Sequence, residues 1–142
     1  METTAFDFSA QEQDVMRRLS VAALVLFGSQ AQGKTNGMSD YDIGVLVKDK
    51  SLLYDAEKRK EIYDSLYDIL SSHIQKIVDI DIVFLETAPA ELTSHVMKYG
   101  KIIFEPEHSA FARFKERTML QYADFAPLRK IFHEGVLAQI PS

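Results

Sequence analysis

Three short apolar runs, two of them bound up with carboxylates, constrain this chain more than any other feature. Val21-Ala22-Ala23-Leu24-Val25-Leu26-Phe27 ends at Gly28-Ser29. Asp40-Tyr41-Asp42 leads into Ile43-Gly44-Val45-Leu46-Val47. Ile77-Val78-Asp79-Ile80-Asp81-Ile82-Val83-Phe84-Leu85 carries two more acids within it. Runs this short, rich in β-branched residues and bounded by turn residues, read as strands. Between the second and third, residues near 55–76 place Ile62, Leu66, Ile69, Leu70 and Ile74 at helical spacing, with Asp55 as a cap and Glu57 in the first turn. Strands interleaved with helices predict an α/β fold, a small twisted mixed sheet with helices packed on it.

Side chains two apart on a strand share a face, so Asp40 and Asp42 point the same way with Tyr41 opposite. Two carboxylates this close repel when both are ionised. A divalent cation resolves that repulsion. Mg²⁺ takes oxygen ligands and is held by one or two carboxylates plus substrate phosphates, and two such ions about 4 Å apart can serve the attacking and leaving oxygens together. The third strand adds Asp79 and Asp81, again on one face. Asp79 sits at its start, where a carboxylate in water is ordinary. Asp81 lies among Ile80, Ile82, Val83 and Phe84, where an unpaired charge is expected to be costly.

Gly28-Ser29 ends a buried-type strand. Glycine lets backbone approach a phosphate closely, a helix opening there would aim N–H groups at it, and Ser29 adds a hydroxyl. The same stretch, Gly28-Ser29-Gln30-Ala31-Gln32-Gly33-Lys34-Thr35, also fits the P-loop pattern. A P-loop needs a helix running on from its Lys-Thr. Here Asn36-Gly37-Met38-Ser39-Asp40 follows, which is turn chemistry. About seven residues separate Thr35 from the next strand, fewer than the roughly 10–12 of a βαβ crossover. Lys34 is therefore read as a solvated or phosphate-steering loop cation.

Taken together, Gly28-Ser29-Gln30-Ala31-Gln32-Gly33, Ser39-Asp40-Tyr41-Asp42, the acid strand Asp81 to Pro89, and Tyr99-Gly100-Lys101-Ile102-Ile103-Phe104-Glu105 resemble the nucleotidyltransferase superfamily, and within it the minimal nucleotidyltransferase (MNT) group. Members of that group are often antitoxins paired with a HEPN-domain ribonuclease toxin. The resemblance covers roughly residues 10–125 and implies a nucleotidyltransferase fold with a C-terminal helical segment. It further implies transfer of AMP from ATP to a tyrosine of a partner HEPN toxin, with Mg²⁺ (two ions) as cofactor. By position, Asp40, Asp42 and Asp81 would hold metal, Asp81 would also help deprotonate the acceptor hydroxyl, and Gly28 and Ser29 would contact the triphosphate. One departure is that positions 30 and 32, often arginine in that group, are Gln30 and Gln32, which would hold a triphosphate less strongly. The alternatives are an antitoxin that acts by occlusion without catalysis, nucleotidyl transfer to a small molecule, and a P-loop ATPase.

A length of 142 residues with 46% hydrophobic content suits one domain, 1–142, with a core of about 10–106 and a helical extension of about 108–140. Sixteen basic and 21 acidic residues leave a net charge of −5, which disfavours direct nucleic-acid binding and suits a basic protein partner. Cysteine is absent, which removes disulfides and thiol chemistry. The start lacks a signal-peptide pattern and no apolar run approaches the ~20 residues of a membrane span, so a cytoplasmic protein is expected.

Further elements follow from local pattern. Ser9-Ala10-Gln11-Glu12 is a capping box opening a helix to about Leu19. Tyr63 and Tyr67 flank the long helix's stripe and are read as packing residues. Pro89 and Glu91 to Met97 predict a helix stopped at Gly100, followed by a short edge strand, Ile102-Ile103-Phe104. Residues about 109–125 predict a helix with Phe111, Phe114, Met119, Tyr122 and Phe125, and Leu128, Ile131, Phe132, Val136 and Leu137 form an apolar patch after Pro127. This aromatic-rich C-terminal segment is the best candidate for a partner interface. His73, His95, His108 and His133 show no ligand spacing.

Overall fold

The structure, a computed structural model, describes residues 6–28, 41–74 and 79–123. The chain divides into two compact units, Met1–Ala110 and Phe111–Ser142.

The first unit is built on a four-stranded sheet of β1 (Val21–Phe27), β2 (Tyr41–Val47), β3 (Ile80–Phe84) and β4 (Lys101–Phe104), in the order β3-β2-β1-β4. β1 runs antiparallel to both β2 and β4, and β2 runs parallel to β3. The sheet is therefore mixed, as the sequence predicts, and the short strand after Gly100 is an edge strand. The antiparallel β1–β2 pair is incompatible with the parallel crossover of a P-loop domain.

Helix α1 (Ala10–Arg18) opens with the expected capping box: the Glu12 N–H donates to Ser9 Oγ at 3.0 Å and the Ser9 N–H donates to Glu12 Oε1 at 2.9 Å. Helix α2 (Ala56–His73) supplies the β2-to-β3 crossover. Asp55 caps it, accepting from the Glu57 and Lys58 N–H groups at 3.0 and 3.3 Å. It ends at His73 rather than near residue 76. Helix α3 (Ala90–Tyr99) stops at Gly100, where an added Cβ would overlap Val25 Cγ1 and stand against the Val96 carbonyl oxygen. Glycine there lets the chain turn from α3 straight into β4.

One sheet face carries the main core. Leu24, Leu26, Ile43, Val45, Ile80, Ile82, Phe84 and Phe104 meet Met16 of α1 and Ile62, Leu66 and Leu70 of α2. Phe6 and Phe8 close it from the N-terminal side, with Phe6 edge-on to Tyr41 at 6.0 Å and Phe8 edge-on to His73 at 5.0 Å. His73 Nε2 also lies 2.9 Å from Glu12 Oε1, tying the two helices together. Alternation puts the intervening residues, Val25, Phe27, Asp42, Gly44 and Asp81, on the opposite face, where α3 packs through Val96.

Tyr63 and Tyr67 stack on each other, ring centroids 6.3 Å apart, and stay 37% and 38% exposed. They pack on each other at the surface beside the core stripe. Helix α4 (Ala110–Ala123) belongs to the second unit from Phe111 onward; in it Phe111 and Phe114 are buried while Met119 and Leu120 are 64% and 60% exposed. The apolar patch from Leu128 to Leu137 lies outside the described residues. Among the described residues no helix is long and apolar enough to cross a membrane.

Candidate active site

The third strand brings its acid to the second. In the parallel β2–β3 ladder Asp42 stands directly against Asp81, and in the antiparallel β1–β2 ladder Phe27 stands against Asp42. Matched residues in neighbouring strands share a face, and strands lie about 4.8 Å apart. Two carboxylates from positions 39 residues apart thus lie side by side at one end of the sheet, on the face away from the main core. A hydrogen bond from the Tyr41 N–H to the Asp79 carbonyl, 3.0 Å, closes that end of the ladder.

Asp42 is half-buried. Asp81 is exposed, with the burial alternating along β3, so the expected cost of burying its charge does not arise. Its apolar neighbours Ile80 and Ile82 turn to the core and leave the carboxylate on the open face. Asp79 is exposed and precedes β3; its contribution to the ladder is the backbone carbonyl.

Gly28 has φ +80°, the left-handed region that favours glycine. A Cβ added there would fall inside the Asp42 carboxylate, 3.1 Å from its Cγ. The glycine that ends β1 is thus pressed against the acid that opens β2. The sequence predicts a turn at Gly28, but not this contact. Ser29, Asp40, Gln30, Gln32 and Lys34 lie outside the described residues.

Carboxylate oxygens are the donors a hard cation such as Mg²⁺ takes. Asp42 and Asp81 fit that chemistry as a pair, and the missing Cβ of Gly28 is what lets the Asp42 carboxylate sit against the turn. Among the described residues no group of three or more potential metal ligands gathers. A groove of about 750 Å³ lies towards the other end of β3 and is lined by Tyr54, Arg59, Lys60, Tyr63 and Phe84. Its lining contains no carboxylate, and it lies apart from the acid pair.

Outside the acid pair, the Glu12 carboxyl is held below its ordinary pKa, chiefly by the Ser9 backbone N–H and then by the His73 ring. His95 of α3 lies between Phe27 and Tyr99.

A mixed sheet with paired acids at a strand end and a glycine turn beside them is the arrangement of a nucleotidyltransferase. The polymerase beta nucleotidyltransferase domain matches residues 12–109, and the chain belongs to that family. It is similar to the protein adenylyltransferase MntA of Aphanizomenon flos-aquae, with 30% identity over 122 residues, 80% of this chain and 76% of the relative. Its fold is similar to one chain of a toxin–antitoxin crystal structure with AMP-PNP, with TM-score 0.59 and 25% identity, covering 91% of this chain and 99% of that one. A chain from the complex of a tri-AMPylated Shewanella oneidensis HEPN toxin with its MNT antitoxin shares the fold, with TM-score 0.52 and 22% identity over 89% and 97% of the two chains. The resemblance to MNT antitoxins read from the motifs is borne out.

Proposed function

We propose that this chain is an antitoxin adenylyltransferase that transfers AMP from ATP to a tyrosine of a partner HEPN ribonuclease toxin and so neutralises it. The observation that carries the proposal is the register of Asp42 against Asp81 beside Gly28. Support for the substrate and partner comes from the MntA relative, named a protein adenylyltransferase, and from the toxin–antitoxin complex with AMP-PNP.

In this reading Gly28 and Ser29 receive the triphosphate, with the Gly28 backbone able to approach it for want of a side chain. The acceptor tyrosine oxygen attacks the α-phosphorus in line. An O–P bond forms, the bond to pyrophosphate breaks, and the hydroxyl proton passes to Asp81, whose exposure leaves it within reach of an incoming protein side chain. Asp40, Asp42 and Asp81 would hold Mg²⁺, two ions in all. When bound, the metal supplies charge neutralisation at the α-phosphate and on the departing pyrophosphate. The setting that suits this exchange is the cytoplasm. The exposed Met119 and Leu120 of α4 are the apolar side chains offered for contact with a partner.

The test is Asp42→Asn and Asp81→Asn, each assayed for ATP-dependent release of pyrophosphate in the presence of partner. Each variant should keep its thermal unfolding midpoint and lose at least about 100-fold in rate, the scale of a lost electrostatic stabiliser. Full activity in Asp81→Asn would remove the pair from the mechanism.

A further inference from the structure

We infer that His95 and Tyr99 of α3 form the ledge on which the purine ring of the nucleotide stacks. This rests on the nucleotidyltransferase reading above and adds to it the place of the base. β4 begins at Lys101, which pairs with Leu26, one residue short of the Phe27 that faces Asp42. The last turn of α3 is thereby delivered to the acid end of the sheet.

From there a row of rings leads outward. Phe27 and His95 have ring centroids 6.3 Å apart at 72°, and His95 and Tyr99 are 5.0 Å apart at 48°. Spacing of four residues puts His95 and Tyr99 on one side of the helix. The row starts buried at Phe27, 5% exposed, and ends at Tyr99, 39% exposed. A nucleotide with its α-phosphate at Asp42 must lay its base away from the carboxylates, and this row of rings leads that way.

The outer ring carries a cover. Lys98 Nζ lies over the Tyr99 ring, 5.1 Å from its centroid. An exposed cation–π contact is weaker than stacking of a base on an aromatic ring. A purine therefore displaces the ammonium, and Lys98 swings clear on its flexible stem.

The test measures binding of a non-hydrolysable ATP analogue and of inorganic tripolyphosphate to the full chain by calorimetry. Tyr99→Ala should weaken the ATP analogue roughly 10- to 100-fold and leave tripolyphosphate unchanged. Tyr99→Phe should restore the analogue to wild-type affinity. Lys98→Ala, an exposed substitution without risk to folding, should strengthen the analogue about 2- to 5-fold by removing the cover. Three results overturn the inference: equal binding of the analogue by Tyr99→Ala and wild type, equal weakening of both ligands, or weaker binding in Lys98→Ala. Failure of the wild-type chain to bind the analogue at all would overturn the nucleotidyltransferase reading itself.

Discussion

Gly28→Ala probes stability and chemistry at one atom. The backbone there has φ +80°, which costs an L-residue about 1–2 kcal/mol. The new Cβ would also occupy the space of the Asp42 carboxylate, forcing that side chain off its rotamer at a further 0.5–1.5 kcal/mol, roughly. The sum is about 1.5–3.5 kcal/mol, or roughly 5–12 °C in melting temperature for a chain of this size. Displacing a reacting group by about 1 Å costs on the order of 100-fold in rate, so AMP transfer should fall by at least that factor. The two terms separate in a double-mutant cycle. In an Asp42→Ala background the two closest Asp42 atoms are gone and the Cβ at position 42 stays at an ordinary 3.4 Å from the new methyl. Gly28→Ala should then cost only the backbone term, leaving a coupling of about 1 kcal/mol in urea midpoints at constant m. Equal destabilisation in both backgrounds would refute the contact between Gly28 and Asp42, and no destabilisation in either would refute the left-handed turn.

Other substitutions test the frame around the site. Gly100→Ala, at an ordinary φ of −68°, should destabilise by about 1–3 kcal/mol through overlap with Val25 and the Val96 carbonyl alone, read from urea denaturation. Asp55→Ala should remove the cap of α2 and cost about 0.5–2 kcal/mol, with Asp55→Asn close to wild type. Because the Glu12 carboxyl is held below its ordinary value, its contribution is complete above the unfolded carboxylate pKa and is lost as pH falls through the lower folded value. Glu12→Gln preserves the capping box and should flatten the loss of stability as pH falls below the ordinary carboxylate range, measured by urea midpoints across that range.

Much of this arrangement is legible from local chemistry. Ser9 and Glu12, Asp55 and Glu57, and the stop at Gly100 act within a turn of their own helices, so the sequence alone predicts them. The strands follow from short continuous apolar runs, rich in β-branched residues and bounded by turn residues. What is not legible depends on pairing across the chain. Nothing local places Asp81 against Asp42, because that register is set by the packing of α2, which the two strands flank. The contact of Gly28 with Asp42 and the bridge from His73 to Glu12, 61 positions apart, depend on the assembled sheet in the same way. Asp81 also shows why apolar neighbours mislead. On a strand with one open face, Ile80 and Ile82 describe the core side and say nothing of the side chain between them.

Covalent modification of a protein partner adds mass to it, which intact mass spectrometry reads. The proposed HEPN partner is incubated with this chain, ATP and Mg²⁺, and weighed beside a reaction containing the Asp40→Asn/Asp42→Asn variant. A gain of one or more AMP units with wild type, absent with the variant, is the predicted result. Tight binding of the partner with no gain in mass would contradict catalysis and leave occlusion as the mode of neutralisation.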